Sequence, residues 1–215
     1  MGIKPEQLLL YLVTDPSLCP GPVLLDTVSA AVRGGVTVVQ LRDKKASTRQ
    51  RIDAARAIKA VLHDSGVPLV VNDDVEAAIL SDADGVHIGQ EDVALRSARA
   101  RLGPEKIIGL SCETLDQVAH ANCQLVDYLG LGTVFQTSTK PDHKATIGIS
   151  GLAAMAQIAK VPTVAIGGLK HGHARDVIQA GCDGMAVVSA ICGQPHPENA
   201  ARELATALKA LKRVI

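Results

Sequence analysis

Short apolar runs alternate along this chain with segments of helical spacing, and most of the runs end in polar residues. The apolar runs predict eight strands, at residues 8–14, 36–41, 67–71, 84–88, 107–110, 126–131, 161–166 and 185–188. The segments between and after them predict helices at 23–33, 47–63, 75–80, 93–102, 115–122, 151–159, 174–180 and 198–214. Strands that alternate with helices in this way pair in parallel, because each helix is a crossover connection.

About eight strand–helix units in succession, with no Pro- or Ser-rich linker between them, predict the fold class. A chain of 215 residues is close to the roughly 250 residues of a typical (β/α)8 barrel. We therefore expect residues 1–215 to form one α/β domain, a single-domain TIM barrel. A doubly wound sheet is the alternative, but the even spacing of the units favours closure.

Composition excludes several classes of function. Lys and Arg number 22 and Asp and Glu 22, so the chain has no overall charge that would attract nucleic acid or a membrane surface. Three aromatic residues are too few to stack bases, and no apolar run approaches the roughly 20 residues of a membrane span. Five cysteines without a C-x-x-C pair indicate reduced thiols and a cytoplasmic protein. The sequence leaves open whether the chain forms a homo-oligomer.

Acidic residues follow the third and fourth predicted strands. Because parallel strands end on the same side of a sheet, Asp73 and Asp92 are expected to meet at one rim. Two carboxylates with room for water and a substrate phosphate suit Mg²⁺. A second interpretation stays open, in which Asp74 caps the next helix and the other acids are solvated.

The second strand runs directly into Gln40-Leu41-Arg42-Asp43-Lys44. Gln40 and Arg42 are two residues apart and so share the inward face of the strand, with Lys44 just above them. Arginine offers a planar fork and lysine a point charge, and together they predict a phosphate-binding cluster. A solvated loop explains Lys45 but not Gln40.

A second anion site is predicted where Gly167-Gly168 and Val188-Ser189 follow the last two strands. This fold often binds phosphate there with backbone N–H groups. Between the two sites lies the longest non-periodic segment, residues 132–150, which is a candidate lid. Two anion sites at one barrel mouth predict two phosphorylated substrates.

Other polar residues are assigned weaker roles. His87 points into the barrel, either as a hydrogen-bonded buried side chain or as a catalytic base. His171 and His173 fit a loop or helix start better than a metal site. Cys112 has no recognisable base partner, so the sequence does not predict a thiol nucleophile.

Seven motifs in order along the chain resemble the thiamine-phosphate synthase family: QLRDK (40–44), VNDD (71–74), GVHIGQED (85–92), GLSCET (109–114), GTVFQTSTK (132–140), AIGGL (165–169) and DGMAVVSAI (183–191). The resemblance implies a transferase reaction with two small-molecule substrates. An aminopyrimidine methyl diphosphate would lose pyrophosphate, and the nitrogen of a thiazole phosphate would attack the exposed methylene, giving thiamine phosphate.

Carried over position by position, the resemblance implies a site for the pyrimidine diphosphate at Gln40, Leu41, Arg42, Asp43, Lys44, Asn72, Ser111 and Lys140. It implies a site for the thiazole phosphate at Thr137, Ser138, Thr139, Gly168, Val188 and Ser189. Asp73 and Asp92 would bind Mg²⁺, while Arg42, Lys44 and Lys140 would be catalytic by stabilising the leaving pyrophosphate. The family usually has proline where this chain has Gln136, which implies a less rigid loop.

The implied reaction is dissociative and uses no nucleophilic side chain, which agrees with the residues found. Two alternatives remain at this stage. A thiazole tautomerase of the same superfamily needs neither metal nor diphosphate pocket, so retention of the QLRDK motif, Asp73, Asp92 and Lys140 argues against it. A non-catalytic sensor of phosphorylated ligands is the other, because a fold does not fix a function.

Overall fold

The computed structural model describes residues 2–90, 95–137 and 145–213, and within them eight parallel strands close into a barrel. The strands are β1 (Leu10–Val13), β2 (Val38–Leu41), β3 (Leu69–Asn72), β4 (Gly85–Ile88), β5 (Ile107–Cys112), β6 (Tyr128–Leu131), β7 (Thr163–Ile166) and β8 (Gly184–Val187). Each strand pairs with the next one in sequence, and β8 pairs with β1. The predicted single-domain (β/α)8 barrel is confirmed.

Helices follow the strands in strict alternation. They are α1 (Val23–Arg33), α2 (Thr48–Leu62), α3 (Val75–Leu80), α4 (Leu95–Leu102), α5 (Leu115–His120), α6 (Gly148–Ile158), α7 (Ala174–Gln179) and α8 (Pro197–Lys212). Local sequence sets their ends: Ser47 accepts a hydrogen bond from the main chain of Gln50, whose side chain bonds back to Ser47 and completes a capping box. Among the described residues, no helix has the length and apolar character needed to cross a membrane.

Observed boundaries differ from the predicted ones by a few residues. The first strand begins at Leu10 instead of residue 8, because Pro5–Leu8 forms a 3-10 turn. Helix α6 starts at Gly148, three residues before the prediction. His171–His173 is a 3-10 turn leading into α7, which confirms the interpretation of these histidines as a helix start.

Side chains of successive strand residues point alternately outward and inward, which produces two cores. The larger core lies between the strands and the helices. The smaller core fills the barrel interior with Tyr11, Val13, Val38, Val70, Ile107, Tyr128, Val164 and Ala186. Ile3 and Leu8 join this inner core from the N-terminal segment and close the lower end of the barrel. The interior can therefore open only at the C-terminal ends of the strands.

A polar residue stands directly before each even-numbered strand and accepts a main-chain hydrogen bond from the preceding strand. The four pairs are Thr37 Oγ1 with Leu10 N (3.0 Å), Asp84 Oδ2 with Leu69 N (2.8 Å), Asp127 Oδ2 with Ile108 N (2.7 Å) and Asp183 Oδ2 with Thr163 N (2.9 Å). These bonds satisfy main-chain donors at the N-terminal edge of the barrel. That edge therefore serves stability, and the opposite edge is left for chemistry.

Candidate active site

The C-terminal mouth of the barrel holds a cavity of about 180 Å³. Ten residues predicted from the sequence line it: Gln40, Arg42, Lys44, Asn72, Asp73, Ser111, Thr137, Gly168, Val188 and Ser189. They come from loops and strand ends spread around the barrel, so barrel closure is what gathers them. The structure thus brings residues nearly 150 positions apart in sequence into one cavity.

Two predicted residues do not line the cavity. The side chain of Leu41 points outward and is buried in the core beneath the helices. Asp43 folds back on its own loop, where Oδ1 accepts from Lys45 N (3.0 Å) and Ala46 N (3.1 Å). Both residues shape the segment that carries Arg42 and Lys44, and their role as substrate ligands stays a prediction. Asp92, Ser138, Thr139 and Lys140 lie outside the described residues.

Arg51 on α2 ties the cationic loop after β2 to the acidic loop after β3. Its Nε donates to the main-chain oxygen of Asp43 (2.9 Å), and its Nη1 forms an ion pair with Asp74 Oδ2 (2.8 Å). Asp74 also caps α3 by accepting from Ala77 N, as one interpretation of the sequence expected. Burial by itself raises the pKa of Asp74, but the Ala77 N–H and the Arg51 guanidinium together hold it below its ordinary value. Asp74 is therefore a structural carboxylate that fixes the position of its neighbour Asp73.

Asp73 has a φ of 62°, which is uncommon outside glycine although aspartate tolerates it better than most residues. Its main-chain N–H donates to His87 O (2.8 Å), and its carboxylate accepts from the Asn72 side chain. The residue faces the cavity on the same side as Arg42 and Lys44. Asp73 therefore supplies a hard oxygen donor to the cavity lining.

A hydrogen-bonded network of five side chains runs through the barrel below the cavity. Gln40 Nε2 donates to Tyr11 Oη (2.8 Å), Tyr11 Oη contacts Tyr128 Oη (2.7 Å), and Tyr128 Oη contacts His87 Nδ1 (2.8 Å). His87 Nε2 in turn contacts Ser111 Oγ (2.9 Å). We call these residues the interior network. Both ring nitrogens of His87 are engaged, so the structure favours the hydrogen-bonded interpretation of this inward-facing side chain over a catalytic base.

The interior network depends on glycine at position 109. A Cβ atom built there would lie 2.2 Å from Tyr128 Cζ and 2.5 Å from His87 Nδ1. Neither buried ring has room to retreat, because Tyr128 is 0% and His87 7% exposed. Strand β5, which carries Ser111, therefore has glycine at the position where the two rings meet.

A second part of the cavity lining, after β7 and β8, is formed largely by main chain, and we call it the glycine wall. Gly168 has a φ of 65°, and a Cβ there would lie 2.6 Å from Gln136 O and 2.8 Å from Phe135 O. The loop after β6 packs this closely, and Phe135 N donates to Gly167 O (3.0 Å). No side chain fits between these loops at Gly168, and Ser189 lines the cavity beside it, so anion binding here stays a prediction.

Lys170 is a residue of this wall that the sequence analysis missed. It is exposed, and its Nζ donates to Ser189 Oγ (2.7 Å) at the rim of the cavity. The sequence signal was a cation three residues after Gly167 at the end of a barrel strand. Its side-chain direction could not be inferred, because loop residues have no periodicity.

Cys112 is unsuited to nucleophilic chemistry. Burial raises the pKa of its thiol to about 12, so the thiolate is scarce at neutral pH. All five cysteines lie within the described ranges and are free thiols. His173 Nδ1 accepts from Lys170 N (3.1 Å), and its ring packs against Phe135, as fits a residue at a helix start.

Known proteins match this chain over nearly its whole length. A sequence profile of the family described as "Thiamine monophosphate synthase" matches residues 10–191. A thiamine-phosphate synthase of Xanthobacter autotrophicus is 49% identical over 209 residues, which cover 97% of this chain and 99% of that protein. A thiamine-phosphate synthase of Psychrobacter sp. is 48% identical over 202 residues, which cover 93% of this chain and 94% of that protein.

Structural comparison agrees with the sequence matches. The solved structure of a thiamine phosphate pyrophosphorylase from Pyrococcus furiosus matches with a TM-score of 0.87 at 34% sequence identity, covering 96% of this chain and 98% of that one. The profile and these relatives span most of the chain, including every residue that lines the cavity. The chain therefore belongs to the thiamine-phosphate synthase family, as an enzyme of that type.

Proposed function

We propose that the cavity joins a pyrimidine methyl diphosphate to a thiazole phosphate, with help from Mg²⁺, and that it releases thiamine phosphate and pyrophosphate. The observation that carries this proposal is that two different polar regions line one cavity. Arg42 and Lys44 supply positive charge on one wall, the cationic wall, and Gly168 and Ser189, with Lys170 bonded to Ser189 at the rim, lie on the glycine wall. The names of the similar proteins support the same reaction.

The cationic wall suits the diphosphate, which carries more charge and becomes the leaving group. Arg42 can hold two phosphate oxygens with its planar fork, and Lys44 adds a point charge. As the bond to the pyrimidine methylene breaks, negative charge collects on the departing pyrophosphate, and these side chains stabilise it. The loop after β3, held by Arg51, keeps Asn72 and Asp73 beside them.

The glycine wall suits the phosphate of the thiazole, which has to bind and stay. Holding the thiazole there directs its ring nitrogen toward the pyrimidine methylene, so that the nitrogen attacks the cationic methylene after pyrophosphate has left. The position inside the barrel mouth limits the access of water to the cationic methylene. The segment 132–150 remains our candidate lid, although residues 138–144 lie outside the described structure.

The residues at the acidic corner fit Mg²⁺. Asp73 offers a hard carboxylate oxygen next to the cations that would hold the diphosphate. Mg²⁺ commonly takes one or two protein carboxylates and completes its shell with water and substrate phosphate. We propose Asp73 and Asp92 as its ligands. When bound, Mg²⁺ supplies charge neutralisation to the leaving pyrophosphate.

Two further parts of the proposal concern Lys140 and the cellular compartment. Lys140 is placed outside the described residues, and its catalytic role rests on the family motif alone. A cytoplasmic location is supported by five free cysteines, since such thiols persist in reducing compartments. No feature of the cavity favours the tautomerase or the sensor.

The deciding experiment is to mix both phosphorylated substrates with the protein and Mg²⁺ and to assay thiamine phosphate and pyrophosphate together. We expect equal amounts of the two products, and none when either substrate or Mg²⁺ is omitted. Binding of both substrates without product would support the sensor. Conversion of a thiazole tautomer without any diphosphate substrate would support the isomerase.

Lys170→Ala tests the glycine wall. Because Lys170 bonds to Ser189 at the rim, its removal should raise the KM for the thiazole phosphate roughly three- to tenfold, as expected for a partly solvated charged hydrogen bond. The KM for the diphosphate should stay within about twofold, since the proposed site of that substrate lies at Arg42 and Lys44. Lys160→Ala, at the opposite end of β7, is the control and should change neither constant. An unchanged thiazole constant in Lys170→Ala would restrict this lysine to a structural contact with Ser189.

A further inference from the structure

The interior network links the two sides of the diphosphate site beneath the cavity. Gln40 and Ser111 lie at its two ends and both face the cavity, whereas Tyr11 and Tyr128 between them are completely buried. The five side chains come from five different strands, and the contacts between them measure 2.7–2.9 Å. Such a continuous path transmits the orientation of one hydrogen bond to the next.

With the Gln40 amide nitrogen facing Tyr11, as in this structure, the protons in this network have a single order that satisfies every group. Burial raises the pKa of both tyrosines, so each phenol keeps its one proton. The Gln40 amide donates to Tyr11, which leaves the Tyr11 proton for Tyr128. Tyr128 then donates to His87 Nδ1, and the histidine proton sits on Nε2 and is donated to Ser111 Oγ.

The opposite order leaves one proton without an acceptor. If His87 donated to Tyr128 and Tyr128 donated to Tyr11, the Tyr11 oxygen would receive protons from both Tyr128 and Gln40. The Tyr11 proton would then need a third partner, and among the described residues its hydroxyl contacts only Gln40 and Tyr128. A buried donor without a partner is costly, so this order is disfavoured.

This proton order determines whether the Ser111 hydroxyl donates or accepts. Its oxygen accepts from His87, and within the described parts of the chain no group takes the proton of its hydroxyl. That proton is therefore available to the cavity, where the proposed function places the diphosphate. We propose that Tyr11, Tyr128 and His87 are positioning residues. Their proton order, which begins with the Gln40 amide as donor, fixes the Ser111 hydroxyl as a hydrogen-bond donor to the diphosphate. This inference rests on the proposed function for its ligand, but the proton order itself does not.

The first test reads the proton order directly. In the intact protein labelled with ¹⁵N-histidine, two-bond proton–nitrogen correlation spectra distinguish protonated from bare imidazole nitrogens, and His87→Gln identifies the His87 signals by their loss. We expect a proton on Nε2 and a bare Nδ1 at neutral pH. A proton on Nδ1, or on both nitrogens, would overturn the proposed order. Because no substrate is needed, this result is independent of the reaction assay.

The second test asks whether the network acts through Ser111. The probe is inorganic pyrophosphate with Mg²⁺, and calorimetry measures its affinity for Tyr128→Phe, Ser111→Ala and the double variant. Tyr128→Phe keeps the ring and removes the central hydroxyl, and we expect it to weaken binding roughly three- to tenfold. In the Ser111→Ala background the same change should have almost no further effect. Equal effects of Tyr128→Phe in both backgrounds would refute action through Ser111.

A control separates positioning from stability. Thr163→Val removes a buried hydroxyl from β7, the strand beside Tyr128, but outside the interior network. It should lower the thermal midpoint without changing pyrophosphate affinity. If Tyr128→Phe behaves like Thr163→Val, its hydroxyl is merely structural and the proposal fails. If pyrophosphate binds normally but the wild type makes no thiamine phosphate, the proposed function fails instead, and the two failures remain distinct.

Discussion

Replacing Arg42 with alanine should lower kcat/KM for the pyrimidine diphosphate on the order of 10²–10³-fold, the usual cost of removing one donor that stabilises charge in the transition state. Arg42 lines the cavity directly above Gln40, and its main-chain N–H is fixed by Thr14 Oγ1 (3.1 Å). This bond fixes the main chain of the residue whose fork we propose to hold the leaving group. The KM for the thiazole phosphate should stay within about twofold, since the proposed site of that substrate is the glycine wall.

Two companion variants sharpen this measurement. Lys45→Ala removes a cation from the same loop whose side chain lies outside the cavity lining, and steady-state kinetics should resemble those of the wild type. Arg42→Lys keeps the charge but loses the fork, so its activity should fall between those of the wild type and Arg42→Ala. Equal losses for both substrates in a folded Arg42→Ala protein would contradict two separate walls.

Asp73→Asn should reduce turnover at limiting Mg²⁺ on the order of 10²–10³-fold, because it removes the carboxylate that we propose as a ligand of the ion. Asparagine is the informative substitution here. Asp73 has a φ of 62°, a conformation that asparagine tolerates and alanine does not, so Asp73→Ala would mix backbone strain with the loss of the carboxylate. Raising the Mg²⁺ concentration should restore part of the activity.

The chain offers a matched control for this experiment at Asp82. This residue also has a positive φ, 53°, but it lies at the far end of the barrel, where it pairs with Lys59 and Lys106. Asp82→Asn should leave the Mg²⁺ dependence of turnover unchanged. Wild-type activity of Asp73→Asn at limiting Mg²⁺, measured beside this control, would remove Asp73 from the metal site.

The fold and the positions of most site residues follow from sequence periodicity. Two-residue alternation placed Gln40 and Arg42 on the inner face of β2, and the rule that chemistry sits at the C-terminal strand ends selected Asp73 and Ser189. Each of these inferences uses the sequence of a single strand and of the loop that follows it. They therefore do not require the alignment of neighbouring strands in the barrel to be known. Asn72 and Ser111 were implied by the family resemblance.

Contacts that depend on closure and register could not be predicted in this way. Tyr11 and Tyr128 looked like ordinary core residues, because each stands in an apolar run. Their hydroxyls meet only because β1 and β6, 117 residues apart, face each other inside a closed barrel. The family resemblance implied Asp43 as a substrate residue, and that role stays a prediction. The local turn that directs its carboxylate to main-chain donors could not be inferred from periodicity.

One missed feature did have a signal in the sequence. An aspartate directly precedes β4, β6 and β8, and Thr37 holds the equivalent place before β2. A polar residue recurring before every second apolar run marks an internal repeat. The repeat can be explained physically by the main-chain donor that each of these side chains satisfies on the preceding strand.

The placement of the tyrosines gives this protein a built-in optical reporter. The chain has no tryptophan and two tyrosines, whose ring centroids lie 5.9 Å apart in the barrel interior. Almost all of its near-ultraviolet absorption and emission therefore arises from one spot beneath the substrate cavity. Phenol spectra respond to the hydrogen bonds made by the oxygen, and both oxygens belong to the interior network. Transparent ligands such as pyrophosphate can thus be followed by difference spectroscopy without any added label.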